Sequence, residues 1–224
     1  MLVVAIRRAC LRAAFTTTSS PQGREWGLSD DYEVLHPLGK GSSARVFQGV
    51  QVVSGKPVVI KMFKKIPPES IKKEIEINCR LLRGLEALNE EERGKVRFIE
   101  LLDSLYEPAS SAFTLVYQFY PGVPLNELTA SIPLPKTLQT VLTIARTLRF
   151  VHGLGLVHRD IKPANVLITQ SGARLFDFGL TKSVEGELKT NNFGTKCYKS
   201  PEVIYRLPTY GKQVDVWCLG LLFA

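Results

Sequence analysis

The sequence predicts an α+β fold in which a β-rich part precedes a helix-rich part. Apolar and polar residues alternate in the stretches YEVLHPLG and ARVFQGVQVV, which is typical of half-buried strands. Later apolar residues recur at helical spacing, notably in LPKTLQTVLTIARTLRFVHGLG. With 224 residues, 45% of them hydrophobic, the chain can bury a core in one large domain or two small lobes. We place the boundary between the two parts near Tyr120 to Gly122.

Charge and cysteine content narrow the classes of partner. The formal net charge of +8 favours anionic partners, which include nucleotides and acidic peptides as well as nucleic acid and membrane surfaces. The cysteines do not show the spacing of a zinc site or a disulfide framework, so we expect reduced thiols and no structural metal. No apolar stretch is long enough for a membrane span.

The segment 1–24 differs in composition from the rest of the chain. Its first 20 residues contain three arginines and no acid, and they end in a Ser/Thr run. This composition is typical of a mitochondrial transit peptide. A disordered leader on a cytoplasmic or nuclear protein is the alternative, because the apolar residues fall among the arginines rather than opposite them.

The first part is predicted to contain three antiparallel strands, a helix and two further apolar segments. A Ser54-Gly55 turn follows the second strand and leads into the β-branched run KPVVIKMF. Pro67 and Pro68 end that run, after which one face of a helix is formed by Ile71, Glu74, Ile75, Asn78 and Leu82. The two apolar segments are VRFIELLDSLYE and AFTLVYQFY. In the second part, the long helix is predicted by the spacing of Leu138, Val141, Leu142, Ala145 and Leu148.

Side chains of complementary chemistry lie close together in the stretch HRDIKPAN. Asp160 can orient a hydroxyl and accept its proton, Lys162 can neutralise a transferring phosphate, and Asn165 can hold a metal ion. A lone His-x-Asp triplet is weak evidence, because such triplets also occur in ordinary loops. Downstream, RLFDFGL places Asp177 at a strand end for a second metal contact, where Gly179 permits a sharp turn. Together these roles indicate phosphoryl transfer.

Two features upstream are suited to binding phosphate. Gly39 and Gly41 in LGKGSSARVF fall on a predicted turn, where backbone amides can approach phosphate closely. Lys61 lies on the third predicted strand, and a buried lysine there needs a carboxylate partner, which Glu74 on the next helix can supply. A surface lysine and a solvated glutamate are the alternative.

In their order along the chain, these motifs resemble the eukaryotic protein kinase family. The resemblance covers residues 32–224 and extends to FGTKCYKSPEVIY, which is similar to the end of an activation segment. Asp215 in QVDVWCLG matches the helix aspartate that supports the catalytic loop of that family. The resemblance implies a two-lobed kinase fold, with an N-lobe over 32–120 and a partial C-lobe over 121–224.

The resemblance also implies ATP and Mg²⁺ as cofactors and a role for each site residue. Catalytic roles fall to Asp160, Lys162, Lys61 and Glu74, and metal binding falls to Asn165 and Asp177. Nucleotide contacts fall to Gly39, Lys40, Gly41, Val46, Val59, Lys61, Gln118, Tyr120 and Leu167, with Tyr117 at the back wall of the pocket. Simple core packing is the alternative for the apolar members of this set.

Finer resemblances suggest the substrate. The form HRD-x-K-x-x-N, with Lys162, implies a Ser/Thr enzyme acting on proteins and not on nucleic acid. The first lobe is most similar to the casein kinase II catalytic subunit, which implies acidic substrates read by Lys196 and Lys199. A DFG motif stands where that subunit has DWG. Arg159 beside Asp160 suggests Thr190 as the site of an activating phosphate. The sequence does not indicate a regulatory subunit.

Two other functions compete with an active protein kinase. A pseudokinase acting as a binding module is favoured by Asn78, since kinases place an apolar residue there, and by the missing C-terminal helices. The intact set of catalytic residues opposes this function. Ala44 replaces the third glycine of the phosphate loop, which should stiffen that loop without blocking it. A small-molecule kinase of the aminoglycoside or choline type shares the His-x-Asp loop but lacks a GT-x-x-Y-x-x-PE segment, which is present here.

The resemblance also predicts that the second lobe is incomplete. The chain ends at Ala224, a few residues into a helix that begins near Asp215, whereas the family continues through further helices. The apolar residues expected to pack against those helices are Leu219, Leu221, Leu222 and Phe223. We therefore expect a longer gene product and poor solubility of this chain alone.

Overall fold

The computed structural model describes residues 28–40, 44–63, 68–107, 110–184, 188–189 and 193–222. The predicted leader over 1–24 therefore lies outside the described residues. Two compact units divide the chain, the first formed by Met1–Leu82 with Ile99–Phe119 and the second by Arg83–Phe98 with Tyr120–Ala224. The architecture is the predicted α+β class, with an antiparallel sheet in the first unit and most of the helix in the second.

The first unit contains a five-stranded antiparallel sheet in the order β1-β2-β3-β5-β4. Its strands are β1 (Tyr32–Lys40), β2 (Ala44–Gln51), β3 (Lys56–Phe63), β4 (Leu101–Glu107) and β5 (Ala112–Gln118). The three strands predicted first are confirmed, and both later apolar segments are strands as well. Gly39 was predicted to lie on the turn, but it belongs to β1, where it pairs with Val46. Residues 41–43, Gly41 among them, lie outside the described part of the chain.

Helix α1 (Pro68–Glu86) carries the predicted inner face. Ile71, Glu74, Asn78 and Leu82 are all buried, and Ile75 is half-buried. The spacing of three or four residues brings these side chains onto one side of the helix, as the sequence predicted. A carboxylate and an amide therefore occupy positions that are otherwise apolar, and both require polar partners.

The second unit combines helices with short strands. Its helices are α2 (Glu90–Lys95), α3 (Leu134–Gly153), α4 (Pro201–Ile204) and α5 (Gln213–Leu222). Its strands are β6 (Gly122–Pro124), β7 (Leu156–Val157), β8 (Val166–Thr169), β9 (Gly172–Leu175), β10 (Lys182–Ser183), β11 (Leu188–Lys189) and β12 (Thr209–Tyr210). Strands β6, β8 and β9 form a sheet in that order. Two separate strand pairs are formed by β7 with β10 and by β11 with β12. Strands this short show no periodicity, and the sequence predicted only the one that leads to Asp177, which the structure has as β9.

The segment Arg83–Phe98 belongs to the second unit, although β4 and β5, which follow it in the chain, belong to the first. The Arg97 amide donates to Thr147 Oγ1 at 3.0 Å, and Arg97 accepts from the Leu175 amide at 3.0 Å. Phe98 stacks on Phe150 with ring centroids 6.2 Å apart. These long-range contacts explain the grouping, and local sequence patterns carry no signal for them.

Helix α3 is confirmed, but two of the leucines that predicted it lie outside its buried face. Leu138 and Leu142 are 59% and 47% exposed. The buried residues are Thr140, Ile144, Thr147, Leu148 and Val151. The two threonines can be buried because each hydroxyl donates to the carbonyl four residues earlier, at 2.9 Å. An apolar pattern alone could not identify a face that contains satisfied threonines.

No helix in the described ranges is long and apolar enough to cross a membrane. The cysteines of the described residues are free thiols, with Cys79 and Cys218 buried and Cys197 exposed. Burial, together with nearby carboxylates, raises the pKa of the Cys218 thiol to about 12. That thiol therefore stays protonated at neutral pH and donates to the Tyr198 carbonyl at 2.9 Å.

Candidate active site

A network of hydrogen bonds surrounds the carboxylate of Asp160. Its Oδ2 accepts from Lys162 Nζ at 2.7 Å and from Asn165 Nδ2 at 3.0 Å. Its Oδ1 accepts from Thr195 Oγ1 at 3.1 Å, and Lys162 Nζ also donates to that hydroxyl at 3.2 Å. The structure thus joins the acid, the cation and the amide of HRDIKPAN in one hydrogen-bond network, and Thr195 is its fourth member.

The backbone of this loop is held by the buried carboxylate of Asp215, on α5. Asp215 is fully buried and accepts from the amides of His158 and Arg159, each at 2.8 Å. His152 Nε2 lies 2.8 Å from the same carboxylate. Arg159 has a φ of 72°, a left-handed conformation that is unfavourable for a residue with a side chain. The bonds to Asp215 offset that strain, so the resemblance to a loop-supporting aspartate is matched by the geometry.

His158 begins the Asp160 loop, where it is fully buried and packs against Phe178. The Asp160 amide donates to His158 Nδ1 at 3.3 Å, so the proton lies on Nε2, which donates to the Phe176 carbonyl at 3.3 Å. The rings of His158 and Phe178 meet edge to face at 4.8 Å. Burial lowers the pKa of His158, and the negative charges of Asp215, Asp177 and Asp160 offset only part of that effect.

Asp177 and Asn165 carry the oxygen atoms that could hold a divalent cation. Asn165 turns its Nδ2 toward Asp160, which leaves its Oδ1 without a hydrogen bond to any described residue. Asp177 is exposed. Its negative charge acts on the pKa of His158, as that of Asp160 does. Amide and carboxylate oxygens suit Mg²⁺, which is usually held by one or two carboxylates together with substrate phosphates. The residues present therefore fit this ion.

The turn after β9 differs from the prediction. The sequence assigned the sharp turn to Gly179, but the left-handed residue is Asp177, with φ 63° and ψ 75°. Gly179 lies inside the 3-10 helix Phe178–Leu180, which begins directly after Asp177. A carboxylate residue in a left-handed conformation is strained, and such strain is concentrated at functional sites.

The guanidinium of Arg159 packs against two neighbouring aromatic rings. Its guanidinium carbon lies 3.9 Å from the ring centroid of Phe193 and 5.5 Å from that of Tyr210. The side chain also donates to the Leu180 carbonyl at 3.3 Å. Burial lowers the pKa of Arg159, but an arginine remains cationic at neutral pH. Thr190, the predicted phosphate site, lies outside the described residues.

In the first unit, Lys61 on β3 forms an ion pair with Glu74 on α1, with Nζ 2.9 Å from Oε1. Glu74 is buried, and the side chain of Lys61 is 17% exposed. The hydroxyl of Tyr117, on β5, also donates to Glu74 Oε1, at 2.8 Å. The predicted pair is therefore present in buried form, and it has a third member that the sequence did not indicate.

The other predicted nucleotide residues fall into two groups. On the first unit's sheet, Gly39 and Lys40 end β1, Val46 lies on β2, Val59 lies on β3 and Gln118 ends β5. In the second unit, Leu167 lies on β8, and the ring of Tyr120 packs under the Arg174 guanidinium at 3.5 Å. Val46 and Val59 are half-buried, as is Leu167.

The buried side chain of Asn78 on α1 is only partly satisfied by hydrogen bonds. It is 1% exposed, and its Nδ2 donates to the Glu74 carbonyl at 2.8 Å. Its Oδ1 has no hydrogen-bond partner among the described residues. The sequence indicated that a buried amide at this position needs hydrogen-bond partners. The Nδ2 group has one, and Oδ1 does not.

Sequence reasoning missed three contributors to the site. They are the hydroxyl of Tyr117, the aromatic pair that holds Arg159, and Phe98, whose ring meets Phe178 edge to face at 5.9 Å. Each acts on a residue far away in the chain, such as Glu74, which is 43 positions from Tyr117. A single sequence carries no signal for pairings of this kind.

The fold and the Asp160 loop together are those expected of the protein kinase family. A family model described as the protein kinase domain matches residues 32–224, and the chain belongs to that family. The chain is also 31% identical over 202 residues to a probable serine/threonine-protein kinase of Dictyostelium discoideum. That alignment covers 89% of this chain, which spans only 32% of the relative's length.

The buried His158 predicts a specific pH dependence of stability. Its folded pKa is lowered, so below about pH 6.5 the unfolded chain binds a proton that the folded chain does not. The free energy of unfolding should fall as pH falls from 7.5 to 5, with a contribution of at most about 1.4 kcal/mol per pH unit. His158→Gln should flatten this slope in urea melts. Exposed His36→Gln is the matched control, and equal slopes for wild type and His158→Gln would contradict the assignment.

Proposed function

We propose that this protein is an ATP-dependent serine/threonine protein kinase. The observation that carries the proposal is the Asp160 carboxylate, which is held by Lys162, Asn165 and Thr195. A carboxylate fixed in this way is suited to orient a hydroxyl and to accept its proton, while a neighbouring lysine neutralises the phosphate. Membership of the protein kinase family supports ATP as the phosphate donor.

Each residue has a separate role in the proposed reaction. Asp160 accepts the proton of a Ser or Thr hydroxyl of the substrate. The oxygen of that hydroxyl attacks the terminal phosphorus of ATP, and the bond between this phosphorus and ADP breaks. Lys162 donates to an oxygen of the transferring group, and Lys61, held by Glu74, binds the phosphates that remain on ADP. Mg²⁺, held by Asn165 and Asp177, would neutralise charge on the phosphate oxygens.

The choice of Ser/Thr over Tyr rests on Lys162 and on a relative. A lysine two residues after the aspartate is present, and it reaches both Asp160 and Thr195. The Dictyostelium protein is described as a probable serine/threonine-protein kinase, and the alignment covers 89% of this chain. Both observations support hydroxyls of aliphatic side chains as acceptors.

Replacing Asp160 tests the catalytic assignment. Asp160→Asn should lower kcat by roughly 10² to 10⁴ fold, the usual loss for a positioned base, with little change in ATP affinity. Lys61→Met should also remove most activity. The measurement is transfer of labelled phosphate from ATP to a protein substrate. Exposed Asp30→Asn serves as the matched control, and wild-type rates in both active-site variants would refute the kinase assignment.

A pseudokinase that binds nucleotide without transferring phosphate is the second candidate. The observation that favours it is the unsatisfied Oδ1 of Asn78, on the helix that carries Glu74. A buried amide lacking a partner costs free energy and can weaken the arrangement of that helix. The transfer assay on the wild-type chain separates the two functions.

We further propose a preference for acidic substrates, as in the casein kinase II group. Lys196 is exposed and begins the 3-10 turn after Thr195, and the half-buried Lys199 directly follows that turn. The chain has a net charge of +8. Cations at this position favour carboxylates that follow the target hydroxyl. The proposal concerns substrate choice only, and it is independent of which residue acts as the base.

Matched peptides test this preference. A Ser-Asp-x-Glu peptide should be phosphorylated with a higher kcat/KM than a Ser-Arg-x-Lys peptide, because complementary charge stabilises the complex. Raising salt should narrow the difference, since exposed charges are screened. Lys196→Glu should reduce the preference, whereas the exposed Lys136→Glu on α3 should not. Equal rates on the two peptides would remove the idea.

A further inference from the structure

The carboxylate of Glu74 receives two donors on a single oxygen. Lys61 Nζ lies 2.9 Å from Oε1, and the Tyr117 hydroxyl donates to the same atom at 2.8 Å. Glu74 is only 6% exposed, so water contributes little to its solvation. A buried carboxylate is costly unless hydrogen bonds replace the lost water, and the tyrosine supplies one of them.

The sheet fixes the Tyr117 hydroxyl in place. Val59 on β3 lies opposite Tyr117 on β5, and two residues further along β3 is Lys61. Directly paired residues in an antiparallel sheet project from the same face, as do residues two apart on one strand. Tyr117 and Lys61 therefore project from one face of the sheet and meet at Glu74.

The tyrosine and the lysine differ in how firmly they can hold Glu74. The Lys61 ammonium ends a flexible four-carbon chain and, in the proposed reaction, must also bind phosphate. The Tyr117 hydroxyl is the end of a rigid ring with two side-chain torsions, on a strand paired on both sides. Glu74 can therefore keep its orientation while Lys61 divides its hydrogen bonds between carboxylate and nucleotide.

We propose that Tyr117 is a positioning residue for phosphoryl transfer, acting through Glu74 on Lys61. The role rests on the proposed kinase function, because it concerns the lysine that would bind the phosphates. Without the hydroxyl, Glu74 loses a charge-assisted bond, and its carboxylate can turn away from Lys61. The phosphates then lose a fixed cation, whereas recognition of the adenosine part is unaffected.

Tyr117→Phe in the full chain removes the hydroxyl and keeps the ring. The kcat/KM for ATP should fall about 10-fold or more, the effect of one hydrogen bond to a charged group. Affinity for ATP should weaken while affinity for adenosine stays within about two-fold, because adenosine makes no contact through phosphate. Both affinities can be measured by fluorescence titration, which does not depend on turnover.

Tyr32→Phe is the matched control. Tyr32 is a buried tyrosine of the same unit, and its hydroxyl donates to the buried carboxylate of Asp103 at 3.1 Å. It makes the same kind of bond as Tyr117 but to a different acid. Tyr32→Phe should lower the melting temperature and leave kcat/KM unchanged, which separates a loss of stability from a loss of positioning.

A double-mutant cycle shows whether Tyr117 acts through Glu74. In a Glu74→Gln background the charged partner of Lys61 is already lost, so adding Tyr117→Phe should lower kcat/KM less than two-fold further. Losses that simply multiply in the double variant would show a general structural effect and overturn the proposal.

The outcomes separate this proposal from the proposed function. If the wild type transfers phosphate and Tyr117→Phe matches it in kcat/KM and in the ratio of ATP to adenosine affinity, the positioning role is wrong and the kinase function stands. If the wild type transfers no phosphate, the kinase function fails. The role of Tyr117 is then judged only by comparing the ratio of ATP to adenosine affinity between Tyr117→Phe and the wild type. An unchanged ratio, or binding of neither nucleotide, then overturns the role of Tyr117.

Discussion

The buried carboxylate of Asp215 is the interaction on which the second unit's site depends. It accepts from the amides of His158 and Arg159 and lies beside His152, so one group fixes the backbone immediately before Asp160. The left-handed conformation of Arg159 persists because these bonds over-determine it. The position of the Asp160 carboxylate is thus a consequence of packing on α5 and not of the HRD sequence alone.

The first unit is organised on the same principle. A buried carboxylate, here Glu74, gathers donors from separate strands, the ammonium of Lys61 and the hydroxyl of Tyr117. In the proposed reaction neither acid contacts the transferring phosphate. Glu74 holds Lys61, which would bind phosphate, and Asp215 holds the backbone next to Asp160. Burial makes such bonds strong, and for the same reason the loss of one partner is costly.

The sequence predicted those parts of the fold that local chemistry determines. The strands of the first sheet, the inner face of α1 and the long helix α3 followed from periodicity and proline positions. The motif order identified Lys61 with Glu74 and Asp160 with Asn165, pairs that the structure places in contact. The rest depends on distant contacts. Threonine burial on α3, the left-handed turn at Asp177 and the grouping of Arg83–Phe98 arise only once the chain is packed.

Hydrogen exchange at the amides of His158 and Arg159 tests the role of Asp215 most directly. In the wild type both amides should exchange as slowly as those of the β8–β9 pair, since each donates to a fully buried acceptor. In Asp215→Asn these two amides should exchange more than about 10-fold faster, while the β8–β9 amides stay protected. The reason is that the asparagine side chain is uncharged and has a single acceptor oxygen, so it cannot hold both amides as the carboxylate does. Unchanged exchange at both amides would contradict the claim that Asp215 holds the catalytic loop.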